Sequence, residues 1–106
     1  MQLNDYQQAA LKTYSFDNPI LHPAIGLSEE AGEVMGCVKR FIRDDQSKLT
    51  PERREKIKGE LGDTLWYLSV LAYDCGLTMN EVAEFNLQKL ASRKERGKLK
   101  GEGGDR

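Results

Sequence analysis

Five acidic residues carry the chemistry available to this sequence. Glu29, Glu30 and Glu33 fall within five positions, and Glu60 and Asp63 repeat the pattern thirty residues on. The two halves read alike, as Glu30-Ala31-Gly32-Glu33 and Glu60-Leu61-Gly62-Asp63: acid, small or apolar residue, glycine, acid. On a helix, residues three apart lie about one turn apart on one side. Carboxylates gathered in one place repel each other and resist ionisation unless a cation neutralises them. Ligands that are all oxygen suit a hard cation, Mg²⁺ or Mn²⁺. The two central glycines each cost a helix about 1 kcal/mol relative to alanine. Close approach of backbone or substrate beside the acids would offset that cost.

Those acids need two helices that fold back on each other. Leu27, Ala31, Val34, Met35, Val38, Phe41 and Ile42 form one apolar stripe at helical spacing. Ile57, Leu61, Thr64, Leu65, Leu68, Leu71 and Ala72 form a second at matching offsets. Turn signals run from Asp44-Asp45-Gln46 to Thr50-Pro51 between them. Positions 33 and 60, and positions 30 and 63, share the midpoint 46.5. A tight antiparallel hairpin therefore brings Glu30, Glu33, Glu60 and Asp63 to one small volume.

The remaining elements are also helical. A short first helix spans residues 3 to 15, capped by Asn4 or Asp5, with Leu3, Tyr6, Ala10 and Tyr14 as its stripe. Asn18-Pro19 and His22-Pro23 mark a break. The second helix starts between His22 and Ile25 and runs to about Arg43. Thr50 caps the third, with Pro51 at its favoured first position, and Gly76 stops it after Cys75. Thr78-Met79-Asn80-Glu81 is a capping box that opens a fourth helix, with Val82, Ala83, Leu87 and Leu90 inward. No stretch alternates as a strand does. The expected class is all-α, a four-helix bundle-like domain over residues 1–97 and a flexible basic tail over 98–106. Trp66, Tyr67, Val70 and Tyr73 make the third helix apolar beyond its main stripe, which predicts a homo-oligomer.

Composition excludes several classes. With 16 basic and 17 acidic residues, no charge excess points to nucleic acid. No apolar run is long enough to span a membrane, and the N-terminus lacks a signal-peptide pattern. Cys37 and Cys75 both fall in apolar helical pattern and read as buried, reduced thiols of a cytoplasmic protein. His22 is the only histidine, which excludes a site built on several histidines.

Two cationic features have both a bland and a sharp reading. Asn86, Lys89 and Arg93 share a face of the fourth helix. They form either a solvated cationic face near a helix C-terminus or a row that binds phosphate, with Asn86 on sugar or base. Residues 93 to 106 hold six basic and three acidic residues and four glycines. That tail is either a frayed terminus or a basic arm over an anionic ligand.

The paired acids, the Gly26-Leu27-Ser28 lead-in, the segment from Asn86 to Arg93 and the Gly-rich ending resemble the MazG-like nucleoside triphosphate pyrophosphohydrolases of the all-α NTP pyrophosphatase superfamily. The family pattern is E-E-x-x-E followed by E-x-x-D, and here 26 residues separate the halves. The resemblance implies that Glu30, Glu33, Glu60 and Asp63 hold Mg²⁺. It implies that Glu29 serves a further metal or the attacking water, although Glu29 points about 100° from Glu30 on an ideal helix. Tyr67 would touch the nucleotide, Lys89 and Arg93 the phosphates, and Asn86 the sugar or base, with Lys98, Lys100 and Arg106 as weaker candidates. The implied reaction converts a nucleoside triphosphate, foremost a deoxynucleotide, to monophosphate and pyrophosphate. The resemblance also favours a tetramer over a dimer. A non-catalytic helical interaction module with a solvated acidic face is the alternative. A di-iron carboxylate protein would need Glu-x-x-His on two helices, which one histidine cannot supply.

Overall fold

The computed structural model describes residues 1–97, and among them the chain is all-α. Its helices are α1 (Leu3–Leu11), α2 (Leu21–Asp44), α3 (Pro51–Asp74) and α4 (Met79–Glu95). No helix among the described residues is long and apolar enough to cross a membrane.

Local chemistry sets the boundaries. Thr50 Oγ1 accepts from the Arg53 N–H at 3.1 Å, and Pro51 opens α3, as expected. Gly76 adopts φ 74° and ends α3 in a Schellman turn. There the Leu77 N–H reaches the Ala72 carbonyl and the Gly76 N–H the Tyr73 carbonyl, both at 2.9 Å. Thr78 and Glu81 form the predicted capping box on α4.

At α1 the cap differs from expectation. Gln2 is the N-cap, and Asp5 accepts back from its N–H at 3.1 Å. Asn4 is committed elsewhere, its side-chain oxygen accepting from the Asn80 N–H at the start of α4. The helix also ends at Leu11, short of residue 15. The Thr13 hydroxyl and backbone N–H both turn back to the Ala10 carbonyl there.

The α2–α3 hairpin is the frame of the molecule and its most extensive packing. Its turn is closed by the half-buried pair of Arg53 Nε and Asp45 Oδ2, 2.7 Å apart. Gln46 and Ser47 take left-handed conformations to make the reversal. Helix α1 lies across α3, and α4 packs on α1 and α3 but not on α2. Buried Gln7 joins three of these pieces. Its Nε2 donates to the Ser69 and Leu77 carbonyls at 3.0 Å, and its Oε1 accepts from the Met79 N–H at 3.1 Å.

The apolar core is small: Ala10, Cys37, Val70, Ala72 and Met79. The radius of gyration is 16.4 Å, against about 13 Å for a compact chain of 100 residues. Several expectations of burial fail for this reason. Leu87 and Leu90 are expected inward, yet they are 65% and 39% exposed, because α4 does not pack on α2. Met35, Ile42, Leu61 and Leu68 are exposed as well, so each hairpin stripe is only partly covered. Cys75 is exposed at the end of α3, while Cys37 is buried as expected. On α3, Val70 is fully buried and Trp66 and Tyr67 half-buried, which leaves Tyr73 as the open member of that set.

Gln7 is the polar joint of this small core, so its loss should be felt globally. Gln7→Ala removes three hydrogen bonds, two of them buried, and should cost about 3 kcal/mol in urea unfolding. The exposed neighbour Gln8→Ala should stay within about 0.5 kcal/mol of wild type. Equal effects at the two positions would contradict the assigned joint.

Candidate metal centre

The hairpin brings three of the predicted acids together. One carboxylate oxygen each from Glu30 on α2 and from Glu60 and Asp63 on α3 lie within 4.8 Å of one another. Glu30 and Glu60 are half-buried and Asp63 is exposed. Glu33, one turn beyond Glu30, is exposed and does not join that group. Glu29 is exposed beside it, and its charge reaches Glu30.

The electrostatics follow from crowding. The Glu30 carboxyl is raised above its ordinary value, first by desolvation and then by its hydrogen bond with Glu60. The charges of Asp63, Glu60 and Glu29 add to the same direction. Among the described residues no ion pair reaches Glu30, Glu60 or Asp63. The donor set is oxygen throughout, which fits a hard divalent cation and not a thiophilic one.

The glycines divide into two kinds. A Cβ on Gly32 or Gly62 would meet nothing within 4 Å. Backbone approach within the chain therefore does not explain them, and both leave open space beside the acids. Gly26 is different: a Cβ there would lie 2.1 Å from Tyr67 Cε1. Alanine at 26 would push the Tyr67 ring away. Gly26 precedes Glu30 by four residues and Tyr67 follows Asp63 by four, so this contact sits about one helical turn along the hairpin from the carboxylates.

An aromatic layer builds outward from Tyr67. Its ring meets Trp66 edge-on at 5.0 Å and Phe16 at 6.0 Å. His22 stacks on Phe16 at 3.7 Å with an interplanar angle of 11°. Tyr6 on α1 stands near Asp63: burial first, then that negative charge, raises its hydroxyl pKa. Phe16, His22 and Tyr6 were not singled out as site residues by sequence. Tyr6 lies on the stripe read as core, and the other two lie in a Pro-marked break without periodicity.

The cationic row is on α4. Asn86 is exposed, and Arg93 is buried. Lys89 is half-buried, with its ammonium 5.6 Å from the Phe85 ring centroid. Lys98, Lys100 and Arg106 lie outside the described residues.

The raised Glu30 carboxyl has a consequence for stability without metal. Its folded pKa exceeds the ordinary 4.5, so the native state binds the proton more tightly than the unfolded chain. Its contribution then weakens folding as pH rises from about 4.5 through the folded value. In EDTA, Glu30→Gln should remove this component, so wild type should lose stability relative to the mutant over that window. Parallel pH profiles for the two proteins would contradict the crowding.

Comparison with known proteins gives the chain's family. The chain is 35% identical over 114 aligned positions to the "Gene 37 protein" of Mycobacterium phage L5, with both proteins covered completely. No solved structure matches it. The MazG nucleotide pyrophosphohydrolase domain matches residues 23–97, which include all five acids, Tyr67 and the α4 row. The chain therefore belongs to the MazG nucleotide pyrophosphohydrolase family.

Proposed function

We propose that this chain hydrolyses nucleoside triphosphates, deoxynucleotides foremost, to the monophosphate and pyrophosphate in a Mg²⁺-dependent reaction. Mn²⁺ would substitute. The observation that supports this most is the meeting of Glu30, Glu60 and Asp63 across the hairpin, inside the segment that matches the family. Three carboxylate oxygens fit Mg²⁺, and Glu33, one turn from Glu30, is the proposed fourth ligand. When bound, the ion neutralises the acids, withdraws charge from the phosphates and acidifies water.

The protein's own groups do the rest. Glu29, beside Glu30 but outside the trio, takes the proton of the attacking water. Lys89 and Arg93 hold phosphate oxygens, Asn86 bonds sugar or base, and Tyr67 lies against the nucleotide. Lys98, Lys100 and Arg106 are further phosphate contacts in this reading. Phosphoryl and nucleotidyl transfers depend chiefly on in-line placement and charge neutralisation, so no protein nucleophile is required. The two free thiols suit a reducing cytoplasm.

The protomer is read as part of a homo-oligomer, a tetramer in preference to a dimer. Its extended shape and the exposure of Met35, Ile42, Leu61, Leu68, Phe85 and Leu87 support this, while Trp66, Tyr67 and Val70 are covered within the protomer. Light scattering at micromolar concentration should give a multiple of the chain mass, and a monomer would contradict it.

Ion-exchange chromatography of products tests the reaction itself. Monophosphate and pyrophosphate should appear together. Diphosphate with free phosphate as first products would put attack at the γ-phosphate and overturn the reading. Lys89→Ala should raise KM about tenfold by removing a charged contact, with kcat nearly unchanged.

A further inference from the structure

Asp74 stands at the last position of α3, where the negative end of the helix dipole disfavours an acid. Its side chain serves another element. The Tyr14 hydroxyl and the Ile20 N–H both donate to the same oxygen, Oδ2, the latter at 2.9 Å. Burial and then this hydrogen bond push the Tyr14 hydroxyl up to about 12, so it remains a donor near neutral pH.

Ile20 is an unusual residue to find there. It has φ 67° and ψ −61°, and the Leu21 N–H closes back on the Pro19 carbonyl at 2.7 Å. This is a γ-turn centred on a β-branched residue, a conformation that persists only where its surroundings over-determine it. Ile20 is also the N-cap of α2, which has no side-chain cap of its own and no acid in its first turn. The Asp74 carboxylate thus supplies from α3 the negative charge that the start of α2 lacks.

The strap between α1 and α2 carries the aromatic layer. Tyr14 meets Phe16 edge-on at 5.2 Å and Trp66 at 6.1 Å. Phe16 carries the stacked His22, two residues past the γ-turn, and packs against Tyr67. Tyr67 in turn lies over Gly26, about one turn from the acids.

We propose that Asp74 is a positioning residue for the nucleotide substrate. By holding Tyr14 and Ile20 it sets the Phe16–His22 stack and, through it, the Tyr67 ring beside the carboxylates. This rests on the reading of Tyr67 as a nucleotide contact. The role assigned to Asp74 runs through Tyr14 and Ile20, the partners of its carboxylate.

Asp74→Ala, Asp74→Asn and Tyr14→Phe in the full chain test it. One oxygen accepts both bonds, so asparagine keeps the acceptor and alanine removes it. Trp66 is the single tryptophan and touches the layer directly, so its emission reports the packing. Asp74→Ala should shift that emission and raise KM for a deoxynucleoside triphosphate about tenfold, with kcat changed less than about threefold. Tyr14→Phe should show the same split at smaller size, and Asp74→Asn should restore both readouts. An unshifted emission, an unchanged KM, a fall in kcat alone, or an Asp74→Asn as impaired as Asp74→Ala would each overturn the proposal. If Asp74→Ala does not fold, Tyr14→Phe decides by the same criteria. A wild type without hydrolysis would refute the proposed reaction, and the emission and asparagine-rescue arms would then decide the positioning of the layer alone.

Discussion

Mutual repulsion among Glu30, Glu60 and Asp63 is the constraint the rest of the molecule has to satisfy. Three carboxyl groups within 4.8 Å, with no ion pair reaching them among the described residues, resist full ionisation together, and Glu30 is the one held protonated longer. The hairpin resists that repulsion with its long α2–α3 contact and with the Arg53–Asp45 pair at its turn. Net stabilities of native domains are only about 5–15 kcal/mol, so even a modest repulsion within the frame matters. Such a site makes physical sense when a cation supplies the missing charge. The open space over Gly32 and Gly62 leaves room beside the acids for a ligand.

The protomer meets this demand with polar tethers more than with a large core. Gln7 ties α1 to α3 and to the start of α4, Asn4 ties α1 to α4, and Asp74 ties the strap to α3. Each joins elements far apart in sequence through a short side chain and a backbone group. Hydrogen bonds of this kind contribute modestly when made, and the buried ones at Gln7 cost heavily when broken, so they define geometry more than they add stability. That suits a site in which the placement of a few oxygens matters more than depth of burial.

The hairpin and the acid pairs were legible in the sequence because they rest on local signals. Helical spacing puts Glu60 and Asp63 on one side, and Thr50-Pro51 and Gly76 mark where α3 starts and stops. The mirrored spacing about the turn then joins Glu30 to them. The exposure of Leu87, Leu90, Met35 and Ile42 was not legible, because periodicity says which face is apolar and not what covers it. The roles of Asn4, Tyr6 and Asp74 were hidden for a related reason. Their partners come from other elements, and nothing in their own neighbourhood marks them. Glu33 shows the limit of symmetry: its spacing matches that of Glu30, yet it stands outside the trio.

The most direct test of a carboxylate centre that awaits a cation is a set of four thermal melts beside one activity assay. Wild type and Glu60→Gln are each melted in EDTA and in Mg²⁺ at a hundredfold excess over Kd. Binding to the native state alone should stabilise wild type by about 2.7 kcal/mol. Glu60→Gln removes one charge and one ligand while keeping its shape. It should lose hydrolysis, show a smaller Mg²⁺ shift, and be at least as stable as wild type in EDTA. A mutant with full activity and an undiminished Mg²⁺ shift would contradict the metal centre outright.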